Sequence, residues 1–226
     1  MLGTIVNSLA IIIGAIIGII LKKGIREEYK NTVMDGIGLS VIIIGISNAL
    51  EFESLVVVIV SIVVGSIIGE LINIDKGLNN FSVKLQAKLK NPEGNFSKGF
   101  ITASLVYCVG AMAIVGAIQS GLTGNHQTLY AKAVLDGITA IVFASTLGIG
   151  VMFSSVAVFL YQGIITLFAS SISTFLNTQV INEISSVGGI LIIAIGINLL
   201  GLKEIKIANM LPAILVPAIY YLIISL

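Results

Sequence analysis

The sequence predicts an all-α polytopic membrane protein of about eight transmembrane helices. Three observations carry that prediction. Of the 226 residues, 57% are hydrophobic and only 10% are charged, where a soluble domain has roughly 25% charged residues. The mean hydropathy is +1.10. The apolar residues also run continuously over stretches of about 20, the length that spans a bilayer. A membrane β-barrel would instead alternate apolar and polar positions.

Eight apolar segments succeed one another, at about 4–21, 33–50, 54–72, 100–121, 131–147, 149–170, 184–201 and 207–225. The many isoleucines and valines do not argue for strands, because in lipid each segment must satisfy its own backbone hydrogen bonds. The first segment has no basic residue before Lys22, so it reads as a retained span rather than a secretory signal. With the N-terminus outside, Lys22, Lys23, Arg26 and Lys30 fall in the first inner loop. Lys76, Lys84, Lys88, Lys90 and Lys98 fall in the second, and Lys203 and Lys206 in the last. That places 11 of the 12 basic residues inside and only Lys132 outside. Both termini are then outside. If 131–147 did not cross, the inner count would fall to 9 of 12. The turn at Gly148-Ile149-Gly150 is tight, however, so a broken or re-entrant fifth segment stays open. In the long loop 73–99, Leu78, Phe81, Leu85 and Leu89 recur at helical spacing, the pattern of a surface helix over 76–90.

The chain contains a candidate internal repeat. Asn7-Ser8-Leu9-Ala10 resembles Ser154-Ser155-Val156-Ala157 at an offset of 147. Gly38 and Ile44-Gly45-Ile46-Ser47 resemble Gly189 and Ile195-Gly196-Ile197-Asn198 at an offset of 151. Units 1–72 and 149–226 would correspond, flanking the loop 73–99 and two central spans, 100–147. Two intervening spans make the repeat inverted, an architecture of secondary transporters. Small residues form ladders: Ala10, Gly14 and Gly18; Ser61, Gly65 and Gly69; Gly110, Ala113, Gly116 and Ser120. They permit close helix packing within the chain, or alternatively a homo-oligomer interface. Gly110-Ala111-Met112 and Gly148-Ile149-Gly150 are candidate helix breaks.

Polar side chains at depth cost about 2.5–3.5 kcal/mol when charged, so they usually face a cavity. Asp136 is the deepest acid, with Lys132 four residues before it in position for a helical ion pair. Asp35 is expected to reach the interface or cap its helix, and Glu70 to sit at the surface. Gln119 and Gln162 offer amide donors and acceptors. Asn7, Ser154, Ser155 and Asn198 are the polar positions in or beside the repeat matches, and a real repeat would bring them together near a pseudo-twofold axis. Cys108 reads as a packing residue and cannot form an internal disulfide. His126, the single histidine, reads as a solvated loop residue, and no metal site is expected. No phosphate-binding loop or hydrolase motif is present, so neither ATP-driven transport, enzyme activity nor a cofactor is expected. The net charge of +1 suggests no nucleic-acid partner.

The stretch from Cys108 through Gly110-Ala111-Met112, Gly116 and Gln119-Ser120-Gly121-Leu122 resembles a signature of a bacterial membrane family. So do Leu135-Asp136-Gly137, Phe143-Ala144-Ser145, Gly148-Ile149-Gly150-Val151, Tyr161-Gln162-Gly163 and Gly3-Thr4-Ile5-Val6-Asn7. The family is the domain of unknown function 554 family, whose members are called YqgA-like proteins. The resemblance covers essentially the whole chain. It implies a multi-span protein of the bacterial cytoplasmic membrane and supplies no substrate. From the residues, the expected function is a secondary transporter or permease for a small solute or ion, with Asp136 as coupling group and Gln119 and Gln162 as solute ligands. The alternatives are an oligomeric channel and a membrane scaffold or sensor that transports nothing. The bilayer is the expected partner in every case.

Overall fold

The computed structural model describes residues 1–22, 27–77, 80, 96–172 and 177–224. All regular structure among these residues is helical: α1 (Leu2–Lys22), α2 (Glu27–Ala49), α3 (Leu55–Ile72), α4 (Phe96–Cys108), α5 (Ala111–Leu122), α6 (Gln127–Leu147), α7 (Gly150–Leu167) and α8 (Thr178–Leu199). A last helix, α9 (Ile207–Ile224), runs through a 3-10 turn at Leu211–Leu215, and a single helical turn, Ala169–Ile172, follows α7. Pro212 lies in that turn and lacks the N–H that a continuous helix would use. The expected surface helix 76–90 lies almost wholly outside the described residues.

Seven helices are long and apolar enough to cross a membrane: α1, α2, α3, α6, α7, α8 and α9. The α4–α5 pair, bent by 60°, supplies an eighth crossing if it is one span. Its contacts show that it traverses. At one end of α7, Gly150 packs on Phe96 and Phe100, and Gly99 on Leu147 and Val151. At the other end, Gly121 packs on Thr166 and Ala169. A re-entrant loop would bring both of its ends back to the same end of α7. The bend falls at Gly110, whose φ of 111° ends α4 and starts α5 in a conformation few L side chains adopt.

The tight turn therefore breaks no span. The fifth segment is one unbroken helix from Gln127, and the fourth is the broken one. Gly148 (φ 77°) and Ile149 form the reversal between α6 and α7 rather than a break inside a span. Asp35 also departs from its capping role, because α2 begins eight residues earlier at Glu27.

Small-residue ladders set the packing between helices of the chain. In α1, Gly14 lies on Gly137 and Ala140, and Gly18 on Ile141 and Ala144. The register advances together, so α1 and α6 run parallel. In α2, Gly38 meets Gly196 and Gly45 meets Gly189, so α2 and α8 run antiparallel. In α3, Gly65 meets Ala213 and Gly69 meets Asn209, so α3 and α9 are antiparallel. A Cβ at Gly14, Gly65 or Gly69 would run into the facing backbone, which explains why these positions are glycine. Every parallel or antiparallel relation fits eight alternating crossings.

Two groups result. One holds α1, α4, α5, α6 and α7, and the other α2, α3, α8 and α9. They meet along a narrower seam, where Val109 fills the notch at Gly188 and Gly110 lies beside the Asn48 amide. The outward surface is apolar, with Leu9, Ile13, Ile16 and Ile20 of α1 exposed, as lipid contact requires.

Candidate functional site: a buried polar cluster between α1, α6 and α7

Gly137 lets α1 approach α6 closely, with Ala10 against it. That approach carries Asn7, one turn before Ala10, to Asp136, the neighbour of Gly137. The Asn7 amide Nδ2 donates to Asp136 Oδ2 at 3.0 Å and to Gln162 Oε1 of α7 at 3.4 Å. On the other side, the Lys132 ammonium donates to Asp136 Oδ1 at 3.0 Å, the i,i+4 pair expected from spacing. One turn toward the N-terminal face, the Thr4 and Thr166 hydroxyls lie 3.4 Å apart.

Asn7 and Gln162 are fully covered, and Asp136 and Lys132 are only 5% and 6% exposed. One ammonium and one carboxylate leave the cluster neutral. Such a pair offsets its own desolvation only when the remaining lone pairs and protons are also bonded. Asn7 contributes one such bond. Two polar atoms inside the cluster have no hydrogen-bond partner among the described residues, the acceptor Asn7 Oδ1 and the donor Gln162 Nε2. The arrangement can present one acceptor and one amide donor to a polar group, beside a carboxylate held by an ammonium.

The other expected positions lie elsewhere. Gln119 Oε1 accepts from Thr128 Oγ1 at 2.9 Å and ties the end of α5 to the start of α6. Gly116 packs beside it on Thr128 and Leu129. Ser154 donates to Val151 O of its own helix at 2.6 Å. Asn198, at the face opposite the N-terminus, holds Ile205 by both amide groups at 2.8 and 2.9 Å. Of the six proposed binding residues, Asn7, Asp136 and Gln162 come together. Glu70 is exposed and pairs with Lys206 at 2.8 Å. His126 lies in the loop, its Nδ1 2.8 Å from Ser120 Oγ, and no metal-binding group occurs among the described residues.

Sequence reasoning did not single out Glu183. It is fully covered in α8, and its Oε1 accepts from Ser54 N at the start of α3 at 2.6 Å. It meets one of the free amides that every helix start leaves. With Gln179, Asn182, Ser185 and Ser186 around it, Glu183 reads in sequence as part of a polar helix end, and its partner 129 residues away is not visible at all.

The family model described as "Protein of unknown function (DUF554)" matches residues 2–222. The "Uncharacterized membrane protein YdfK" of Bacillus subtilis (strain 168) is 38% identical over 229 residues, covering 99% of this chain and 97% of that protein. The "Uncharacterized protein YqgA" of Escherichia coli (strain K12) is 29% identical over 219 residues, covering 95% and 93%. No solved structure matches. Matched over nearly its whole length and built of membrane-spanning helices, the chain is a multi-pass membrane protein that belongs to the DUF554 family.

Proposed function

We propose that this protein is a secondary transporter or permease for a small solute or ion in the bacterial cytoplasmic membrane, with both termini outside. The observation that carries the reading is the neutral cluster of Asn7, Lys132, Asp136 and Gln162, covered at depth with one acceptor and one donor open. A polar group held there would complete the hydrogen bonding of Asn7 and Gln162. Protonation of Asp136 would weaken its hold on Lys132 and Asn7, which couples the cluster to a proton gradient.

The packing supports an inverted repeat. The sequence matches equate Gly38 with Gly189 and Gly45 with Gly196. Gly38 meets Gly196, and Gly45 meets Gly189. That reciprocity is what a twofold axis produces, since each residue meets its partner's equivalent. The other pairs obey the same rule: α1 packs on α7 and α3 on α9. The central crossings obey it as well, with α6 parallel to α1 as α4–α5 is parallel to α7.

The test is uptake into proteoliposomes of a panel of labelled small solutes under imposed proton and sodium gradients. Saturable, gradient-dependent uptake that Asp136→Asn abolishes is expected. Normal coupled uptake by that variant removes Asp136 from the mechanism, and flux linear in driving force favours a channel. A second reading has one observation in its favour: both Asp136 oxygens are already taken inside the protein, one by Lys132 and the other by Asn7. A scaffold or sensor needs no more than that, and absence of flux across the whole panel would select it.

A further inference from the structure

A second polar feature lies at the face opposite the N-terminus, between the two helix groups. A cavity of about 230 Å³ is bounded by α4 on one side and by α8 and the start of α9 on the other. Its charged lining is Asp75, Lys98 and Glu204. Lys98 Nζ reaches the Asn198 carbonyl at 3.4 Å. It makes no ion pair with either carboxylate among the described residues. Opposite charges thus share one cavity without neutralising each other. The rest of the wall is mostly aliphatic, including Ile101, Ile195 and Ile205, with Thr102 and Asn198 as its uncharged polar members.

This lining excludes several ligands. A phosphate or other simple anion would meet two carboxylates. A bare cation would meet the Lys98 ammonium, and no metal-holding group exists among the described residues. A molecule carrying both an ammonium and a carboxylate satisfies both signs. The volume equals about seven or eight waters at roughly 30 Å³ each. That suits an amino acid and is below the roughly 300–1,000 Å³ of pockets for larger ligands. The aliphatic wall suits a short apolar side chain.

We infer that the cavity between α4 and α8 binds a small aliphatic zwitterion of the α-amino-acid class. Its ammonium meets Asp75 and Glu204, and its carboxylate meets Lys98. Binding itself needs no transport; the cavity's role as a mouth of the pathway rests on the permease reading.

The experiment uses the full chain purified in detergent. Glycine, L-alanine, L-valine and L-leucine are titrated by thermal shift and equilibrium binding, with isobutylamine and isobutyrate as single-charge analogues of valine. At least one amino acid should bind and raise the melting temperature, since a ligand of the folded state stabilises it. Each single-charge analogue should bind at least tenfold more weakly than valine. Lys98→Met and Glu204→Gln should each weaken amino-acid binding at least tenfold, and Lys203→Met, outside the cavity, should not. Asp75→Asn replaces either variant that is not monodisperse. No binding at about 10 mM, above the usual micromolar-to-millimolar range, overturns the inference. So does equal affinity for isobutylamine, or binding indifferent to the lining variants. Binding without flux removes the permease reading and leaves the cavity. Gradient-driven flux of another solute without amino-acid binding does the reverse.

Discussion

Removing Lys132 should be far more damaging than removing both charges of its pair. The side chains of Lys132 and Asp136 are 8% and 7% exposed, with N and O 3.0 Å apart. At that distance the gross attraction is about 5.5 kcal/mol for an effective dielectric constant near 20. Most of it offsets desolvation, so the pair itself contributes little. Lys132→Met takes away the attraction and leaves the desolvated carboxylate with Asn7 as its one remaining side-chain partner. Breaking a buried pair in this way costs about 3–5 kcal/mol, roughly a thousandfold in the folding equilibrium. Lys132→Met/Asp136→Asn leaves no charge to bury and keeps an amide beside Asn7, so it should recover most of that loss. Lys203→Met is the exposed control, within about 0.5 kcal/mol of the parent. The assay is reversible unfolding in mixed micelles, monitored by circular dichroism. A Lys132→Met loss under about 1 kcal/mol, or a double variant as unstable as the single one, would refute the view that Asp136 is held as a buried anion.

Three further outcomes are expected from the packing and the loops. Gly45→Val places a side chain against Gly189 O and Ile193 N and should cost about 2–3 kcal/mol, whereas Gly36→Val, with nothing within 4 Å, should change stability by under about 1 kcal/mol; the same micelle unfolding compares them. Gly110→Ala should cost about 1–3 kcal/mol for conformation alone, because the nearest atoms to a Cβ there belong to Asn48 at 3.6 and 3.8 Å and leave it room. Glu51, in the turn between α2 and α3, is pushed above the ordinary carboxylate range by burial, against a smaller lowering by the Ser185 hydroxyl. An acid raised in the fold weakens stability as pH climbs from its unfolded value through the raised one. Glu51→Gln should therefore stabilise the protein at neutral pH and lose that advantage at acid pH; melting temperatures at the two pH values decide, and an advantage that grows in acid contradicts the burial argument.

The membrane class and nearly every span were legible because lipid imposes one rule on every residue of a crossing helix. The Lys132–Asp136 pair was legible too, since helical spacing fixes an i,i+4 neighbour. Partners on different helices were not. Asn7, Gln119, Gln162 and Asn198 look alike in sequence, each an amide among apolar residues. Only the rotation of each helix decides that Asn7 and Gln162 meet at Asp136, while Gln119 closes a loop and Asn198 braces Ile205. Glycine was ambiguous in the same way. Gly110 and Gly148 both take positive φ, yet one bends a span and the other joins two. The direction of the next helix makes the difference: beyond Gly110, α5 continues along α7, whereas beyond Gly148, α7 turns back on α6.

The two polar features occupy opposite ends of the fold and differ in kind. Toward the N-terminal face the cluster is closed, with charge paired inside one helix group. At the other face a cavity opens between the groups, where Lys98 makes no ion pair with Asp75 or Glu204 among the described residues. The proposed twofold would exchange α1 with α7, α2 with α8 and α3 with α9, and with them α4–α5 with α6. It carries the α4–α8 cavity onto the contact between α6 and α2. On the permease reading, a second state of similar energy opens that contact and closes the cavity. The bend in the fourth span is placed to absorb the change, because Gly110 has nothing but the Asn48 amide against it while the ladders on either side are locked backbone to backbone. On that reading motion would concentrate at the seam between the groups, with the helix pairs within each group moving as rigid bodies.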